Sequence, residues 1–132
     1  MKPLRILAAL IALLYLGNGA VMLWDPFRWY AATPGVMETG SFNYHFVVDI
    51  GLIFVASAAG FGAWAAWPRL GAGVLALAAL WPALHAAFHV WLMATHHMPH
   101  GLTLITEIVG VCAPGLLGLL AAWRAAHLSG RT

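Results

Sequence analysis

Charge is what this sequence has least of. Only 8% of its 132 residues are Asp, Glu, Lys or Arg, and 63% are hydrophobic; a soluble domain carries about a quarter charged residues. A water-soluble fold of this length has too little interior to hide so much apolar surface. The composition is that of an integral membrane protein whose surroundings are the lipid bilayer. The basic residues do not gather into a groove-sized patch, which excludes nucleic acid as a partner. Cysteine is nearly absent: Cys112 alone excludes an internal disulfide framework and any CxxC motif. The zinc-protease pattern HExxH is missing too, because Ala86 stands where its glutamate would be. There is no nucleophile elbow and no glycine-rich phosphate loop; Gly17, Gly19, Gly60, Gly62, Gly71 and Gly73 lie in or beside apolar runs.

What is present is a set of four apolar segments, Ile6–Trp24, Tyr44–Trp67, Leu70–Met93 and Leu102–Trp123. Each is near the roughly 20 residues that span a bilayer as a helix. Breaks at Asp25-Pro26, Thr33 to Ser41, Trp67-Pro68-Arg69 and Thr95 to Gly101 carry the proline and glycine expected of turns. The start resembles a signal peptide, but Asn18 is a poor residue three positions before a cut at Ala20. It reads instead as the first spanning helix. The predicted fold class is all-α: a single domain, 1–132, forming an antiparallel bundle of four transmembrane helices.

Lys2, Arg5, Arg69, Arg124 and Arg131 fall on one side of this layout and only Arg28 on the other. The positive-inside rule then places both termini in the cytoplasm, and the 25–43 and 94–101 loops outside. Trp24, Trp29, Tyr44, Trp67, Trp91 and Trp123 lie at helix ends and read as interfacial anchors. All four acids (Asp25, Glu38, Asp49, Glu107) lie in the outer half, as do six of the seven histidines. So do the methionines Met22, Met37, Met93 and Met98.

The polar residues recur at helical spacing. His85 and His89 are four apart, as are His45 and Asp49, so each pair shares a helix face. Tyr15, Asn18, Met22 and Asp25 form a stripe on the first helix, and His100, Thr103 and Glu107 one on the last. Ionisable side chains inside a membrane are costly and mark sites. Counted at 1.5 Å per residue, Asp49, His89 and Glu107 lie about 6–8 Å below the outer edge of the apolar zone. The expectation is that these stripes face one bundle axis and build a transition-metal site near the outer face, with His45, Asp49, His85, His89 and Glu107 as ligands. His96, His97, His100, Met93, Met98 and Asn43 would form an outer or entrance group around them, Asn43 also serving as an N-cap.

Carboxylate with imidazole suits iron, zinc or manganese, and imidazole with thioether suits copper; the outer methionines favour copper. Two readings stand beside the metal. One is a metal-free polar network serving protons, a quinone or another small molecule. The other is haem, for which His85 and His89 on one stripe do not supply opposed axial ligands. The metal reading leads to redox or oxygen chemistry, by a metal-dependent membrane oxidoreductase, or to metal handling. The alternatives suit an accessory subunit of a larger membrane redox complex, or a homo-oligomer.

The first helix and its exit, Leu4-Arg5-Ile6-Leu7 through Gly19 to Trp24-Asp25-Pro26-Phe27, resemble the small four-helix bacterial membrane proteins of the DoxX-like group. So does Phe42-Asn43-Tyr44-His45-Phe46-Val47-Val48-Asp49-Ile50-Gly51 followed by His85 and His89. The resemblance implies a four-helix bundle in the bacterial cytoplasmic membrane and a loose link to membrane redox or quinone chemistry. It carries no catalytic residues across.

Overall fold

Prolines, capping side chains and glycines with positive φ set where the helices begin. In the computed structural model, which describes residues 1–129, α1 runs Lys2–Trp24 with a proline in its first turn. Asp25 then accepts a hydrogen bond from the Arg28 backbone N–H at 3.0 Å and starts a short helix, α2 (Pro26–Ala32). A 3₁₀ turn, Val36–Thr39, follows. Asn43 accepts from the Phe46 N–H at 3.1 Å, the N-cap that opens α3 (Tyr44–Ala66). Pro68–Leu70 form a second 3₁₀ turn, and Gly71, at φ +85°, takes the left-handed backbone needed to reverse the chain into α4 (Ala72–Thr95). The last helix, α5, spans Gly101–Leu128.

Helices α1, α3, α4 and α5 are each long and apolar enough to cross a bilayer. All four expected spans are present, and among the described residues there is no strand. Two details differ. Helix α1 starts four residues earlier than the apolar run, and the connection read as an irregular break contains α2. Large apolar side chains point outward along the spans; Leu13 is 66% and Leu77 76% exposed. A surface of that kind is stable against lipid and not against water.

Chain neighbours pack side by side, and α5 returns to touch α1, closing the bundle. Small residues set the approach, as is usual between helices in lipid. A Cβ on Gly60 would lie 2.7 Å from the Ala78 Cβ, and one on Gly115 would lie 2.5 Å from the Pro82 carbonyl oxygen. Tyr15, Phe61, Trp64 and Leu75 fill the centre among buried alanines. The Tyr15 ring meets Phe54 at 5.3 Å and Phe61 at 6.0 Å between centroids.

Lys2, Arg5, Arg69 and Arg124 sit at the basal end of the bundle, the end that holds the 67–71 turn. Arg131 lies outside the described residues. The acids and Arg28 sit at the opposite, loop end.

Helix α5 is not uniform. Gly101–Ile105 is α-helical, Thr106–Cys112 is a π-helix, and Ala113 onward is α-helical again. Two features of the sequence account for this. Pro114 has no N–H to return to the carbonyl of Gly110, so the regular ladder fails there. The inward residues are also spaced by four: Thr103, Glu107, Val111, Gly115. On an α-helix each step of four overshoots a full turn by about 40°, so three steps would carry the stripe about 120° off its face. The wider i→i+5 turn absorbs that drift.

Candidate functional site

At the loop end the four long helices enclose a cavity of about 500 Å³, roofed by α2 and the 33–43 connection. That size fits a small-molecule site. Its walls come from Tyr15, Asn18 and Met22 of α1; Val47, Ile50 and Phe54 of α3; Trp81, His85, Phe88 and His89 of α4; and Thr106, Glu107, Gly110 and Val111 of α5. Most of this surface is apolar and aromatic, with a few polar groups.

The polar groups are ordered. On α4, Trp81, His85 and His89 follow one another every four residues. The His85 ring stacks on Trp81 at 4.7 Å with an interplanar angle of 14°. The His89 ring stands edge-on to His85 at 4.4 Å. Across the interface, the Nδ1–H of His89 donates to Oε2 of Glu107 at 2.5 Å. Each side chain of this pair is only 19% exposed. A carboxylate in such surroundings would be strongly disfavoured alone; the imidazole supplies the partner that offsets its lost hydration. With Nδ1 engaged, Nε2 is the ring nitrogen left to accept a proton or bind a metal. The π segment brings Glu107 to this place.

The roof is fastened by aromatic residues. The Trp29 Nε1–H donates to Oδ1 of Asn18 at 2.9 Å, and the Asn18 amide donates to the Met22 sulfur at 3.6 Å. The Tyr30 hydroxyl donates to the Gly40 carbonyl at 2.6 Å. Phe42 packs against Phe27 and Tyr30 at 5.3 and 5.4 Å between ring centroids. Gly35, at φ +85°, lies so close to Thr103 that a Cβ there would come within 2.6 Å of its methyl. Trp29 is thus a structural strut; of the residues read as interfacial anchors, Trp24, Tyr44, Trp67, Trp91 and Trp123 are exposed at their helix ends.

The expected five-residue constellation is divided. His85, His89 and Glu107 come together at the cavity wall. His45 and Asp49 do not join them. They bond to each other, Nδ1–H to Oδ2 at 2.8 Å, with side chains 85% and 53% exposed on the outside of the bundle. The reason lies in the register of α3. Its buried positions include Val47, Gly51, Phe54, Ala58 and Phe61, alternating by four and three. Asp49, two residues from both Val47 and Gly51, falls about 200° round from each.

The outer group is also separate, apart from Asn43, which lines the cavity. His96, His97, Met98 and His100 are exposed and Met93 is half-buried, none of them on the cavity wall. His96 hydrogen-bonds through Nδ1 to Oγ1 of Thr95 at 2.9 Å. Among the described residues, no three His, Cys, Asp or Glu side chains are gathered as a metal ion would need. Trp81, Phe54 and Tyr30 belong to the cavity without any motif to announce them. For Trp81 the one signal is its position four residues before His85. Cys112, five residues beyond Glu107, is buried within the π segment. No family model, curated protein or solved structure matches this chain.

Proposed function

We propose that the cavity binds a small, mainly apolar molecule with a planar ring bearing carbonyl or hydroxyl groups, as a quinone does, and that His89 and Glu107 exchange a proton with it. The observation that carries this reading is the imidazole–carboxylate pair on the wall of an aromatic-lined cavity. The chemistry follows from its parts. Trp81, Phe54 and Phe88 offer faces and edges against which a flat ring stacks. Nε2 of His89 is the group that gives or takes the proton, and Glu107 steadies the ring and its charge from the other side. The basic residues at the basal end favour cytoplasmic termini and a cavity near the periplasmic face, as in a multi-pass protein of the bacterial cytoplasmic membrane. In this role the chain acts alone, as a homo-oligomer, or as the accessory subunit of a larger membrane redox complex.

A second reading, a transition metal with copper ahead of iron or zinc, draws on one feature. A histidine that binds metal through one nitrogen commonly donates its other N–H to a carboxylate, as His89 does to Glu107. His85 is near enough to be the second imidazole. His45 and Asp49 face away, so the other ligands would be drawn from the remaining cavity wall, where Met22 offers a thioether, or from outside the chain. Haem would need a second axial ligand opposite His89.

One preparation separates these readings. Protein purified in mild detergent, wild type beside His89→Ala and Asp49→Asn, is extracted for small molecules and assayed for metals and for a Soret band. The expected result is a near-stoichiometric ring compound in wild type and Asp49→Asn that is lost from His89→Ala, with metal content low and equal in all three. Stoichiometric metal lost only from His89→Ala would replace this proposal with the metal site, and a Soret band would replace it with haem.

A further inference from the structure

A second concavity, of about 830 Å³, lies between α1 and α3 at the basal end, far from the loop-end cavity. Its floor is made of small residues, Ala9 and Ala12 of α1 facing Ala58, Ala59 and Gly62 of α3, so the two helices leave a channel along their seam. Lys2 and Arg5 stand at its mouth. Arg5 is held there: its Nε–H donates to the Ala65 carbonyl at 2.8 Å and its Nη2 to the Ala66 carbonyl at 3.4 Å. These are among the last carbonyls of α3, which have no partner within the helix. Helix α1 is thereby anchored with a guanidinium at a fixed height, and its other N–H groups are left for a ligand.

We infer that this groove binds one anionic phospholipid, its phosphate on Lys2 and Arg5 and an acyl chain along the small-residue floor. Three observations agree. The mouth carries two cations, and all four acids of the chain lie toward the opposite end. The lining runs from Lys2 to Leu16, about 21 Å along a helix. That exceeds the roughly 15 Å depth of one leaflet's hydrocarbon, so a chain entering at the cations stays within the groove. A second copy of this protein is the poorer occupant. Copies inserted with the same orientation would bring Lys2 and Arg5 against Lys2 and Arg5.

The test is native mass spectrometry of the full chain released from detergent after incubation with equal amounts of phosphatidylglycerol and phosphatidylcholine. Wild type is expected to retain the anionic lipid at least about fivefold over the zwitterionic one, and Lys2→Gln to lower that preference by about fivefold. Ala59→Leu, an exposed position whose larger side chain fills the floor, is expected to reduce adducts of both lipids without changing helicity. Equal retention of the two lipids by wild type, or an anionic preference untouched by both variants, overturns the inference. Lipid-free dimers that Ala59→Leu dissociates would overturn it in favour of a second copy.

Discussion

Gly115→Val is expected to unfold the α4–α5 half of the bundle, or to lower its stability by about 1–3 kcal/mol or more. The added Cβ would stand 2.5 Å from the Pro82 carbonyl oxygen, 2.8 Å from the Ala86 Cβ and 3.1 Å from the Pro82 carbonyl carbon. Two of these atoms are backbone. No rotamer change relieves the clash, so α4 itself has to move. Gly17→Ala is the contrast, because nothing lies within 4 Å of a Cβ there. At that position the change from glycine favours the helix by up to about 1 kcal/mol. Unfolding in SDS followed by circular dichroism reads both. Equal midpoints for the two variants would mean that the close contact between α4 and α5 does not hold the bundle together.

The largest functional effect is expected at Glu107. Glu107→Ala removes the partner of His89 and leaves a lone imidazole in an apolar wall. Hydrogen bonds involving a charged group contribute about 1.5–3 kcal/mol, so binding of a ring compound that depends on the positioned imidazole should weaken about 10- to 100-fold. Glu107→Gln keeps an oxygen that accepts from Nδ1–H but has no negative charge to steady the protonated ring. It should retain most of the affinity while losing proton exchange. Trp81, stacked on His85 at the cavity wall, supplies the signal: titration with a soluble quinone analogue quenches its fluorescence. Asp49→Ala, on the outer surface, should leave the titration unchanged. If instead Asp49→Ala weakened binding and Glu107→Ala did not, the site would belong on the outside of α3.

The two histidine pairs show how far a sequence specifies a site. His85/His89 and His45/Asp49 have the same spacing, and spacing shows only that two side chains share a stripe. Which way a stripe faces depends on the residues between. Around His85 and His89, Ala78, Ala79, Pro82, Ala83 and Ala86 are small or compact and buried, so the helix comes close to its neighbours on that side. Along α3 the seam Val47, Gly51, Phe54, Ala58, Phe61 is legible in the sequence, and it turns Asp49 outward. Ala56 and Gly60 continue the stripe of Asp49 at helical spacing, which suggests one shared face. Gly60 does pack on Ala78, but Ala56 and Asp49 further along the same stripe are exposed. Helices that cross do not keep one stripe against one neighbour for their whole length.

The spans and their breaks are the more legible part. Twenty apolar residues in a row, with a proline or glycine at each end, fit a membrane helix and little else. The residues that finish the cavity are harder to find. Trp29 and Tyr30 act through contacts with Asn18 and Gly40, ten or eleven positions away in the chain. A loop's return over a helix end leaves no periodic mark.

The π segment gives α5 a means of independent variation. A single-residue insertion is enough to convert one α turn into a wider one, and a deletion reverses it. Losing one residue between Glu107 and Val111 would let Gly115 and Gly118 keep their seats while everything upstream slipped by roughly 100°. Glu107 would swing away from His89, and the bundle would persist without its acid–imidazole couple. Length variation in this one turn is therefore a change that would part Glu107 from His89 while leaving the scaffold in place.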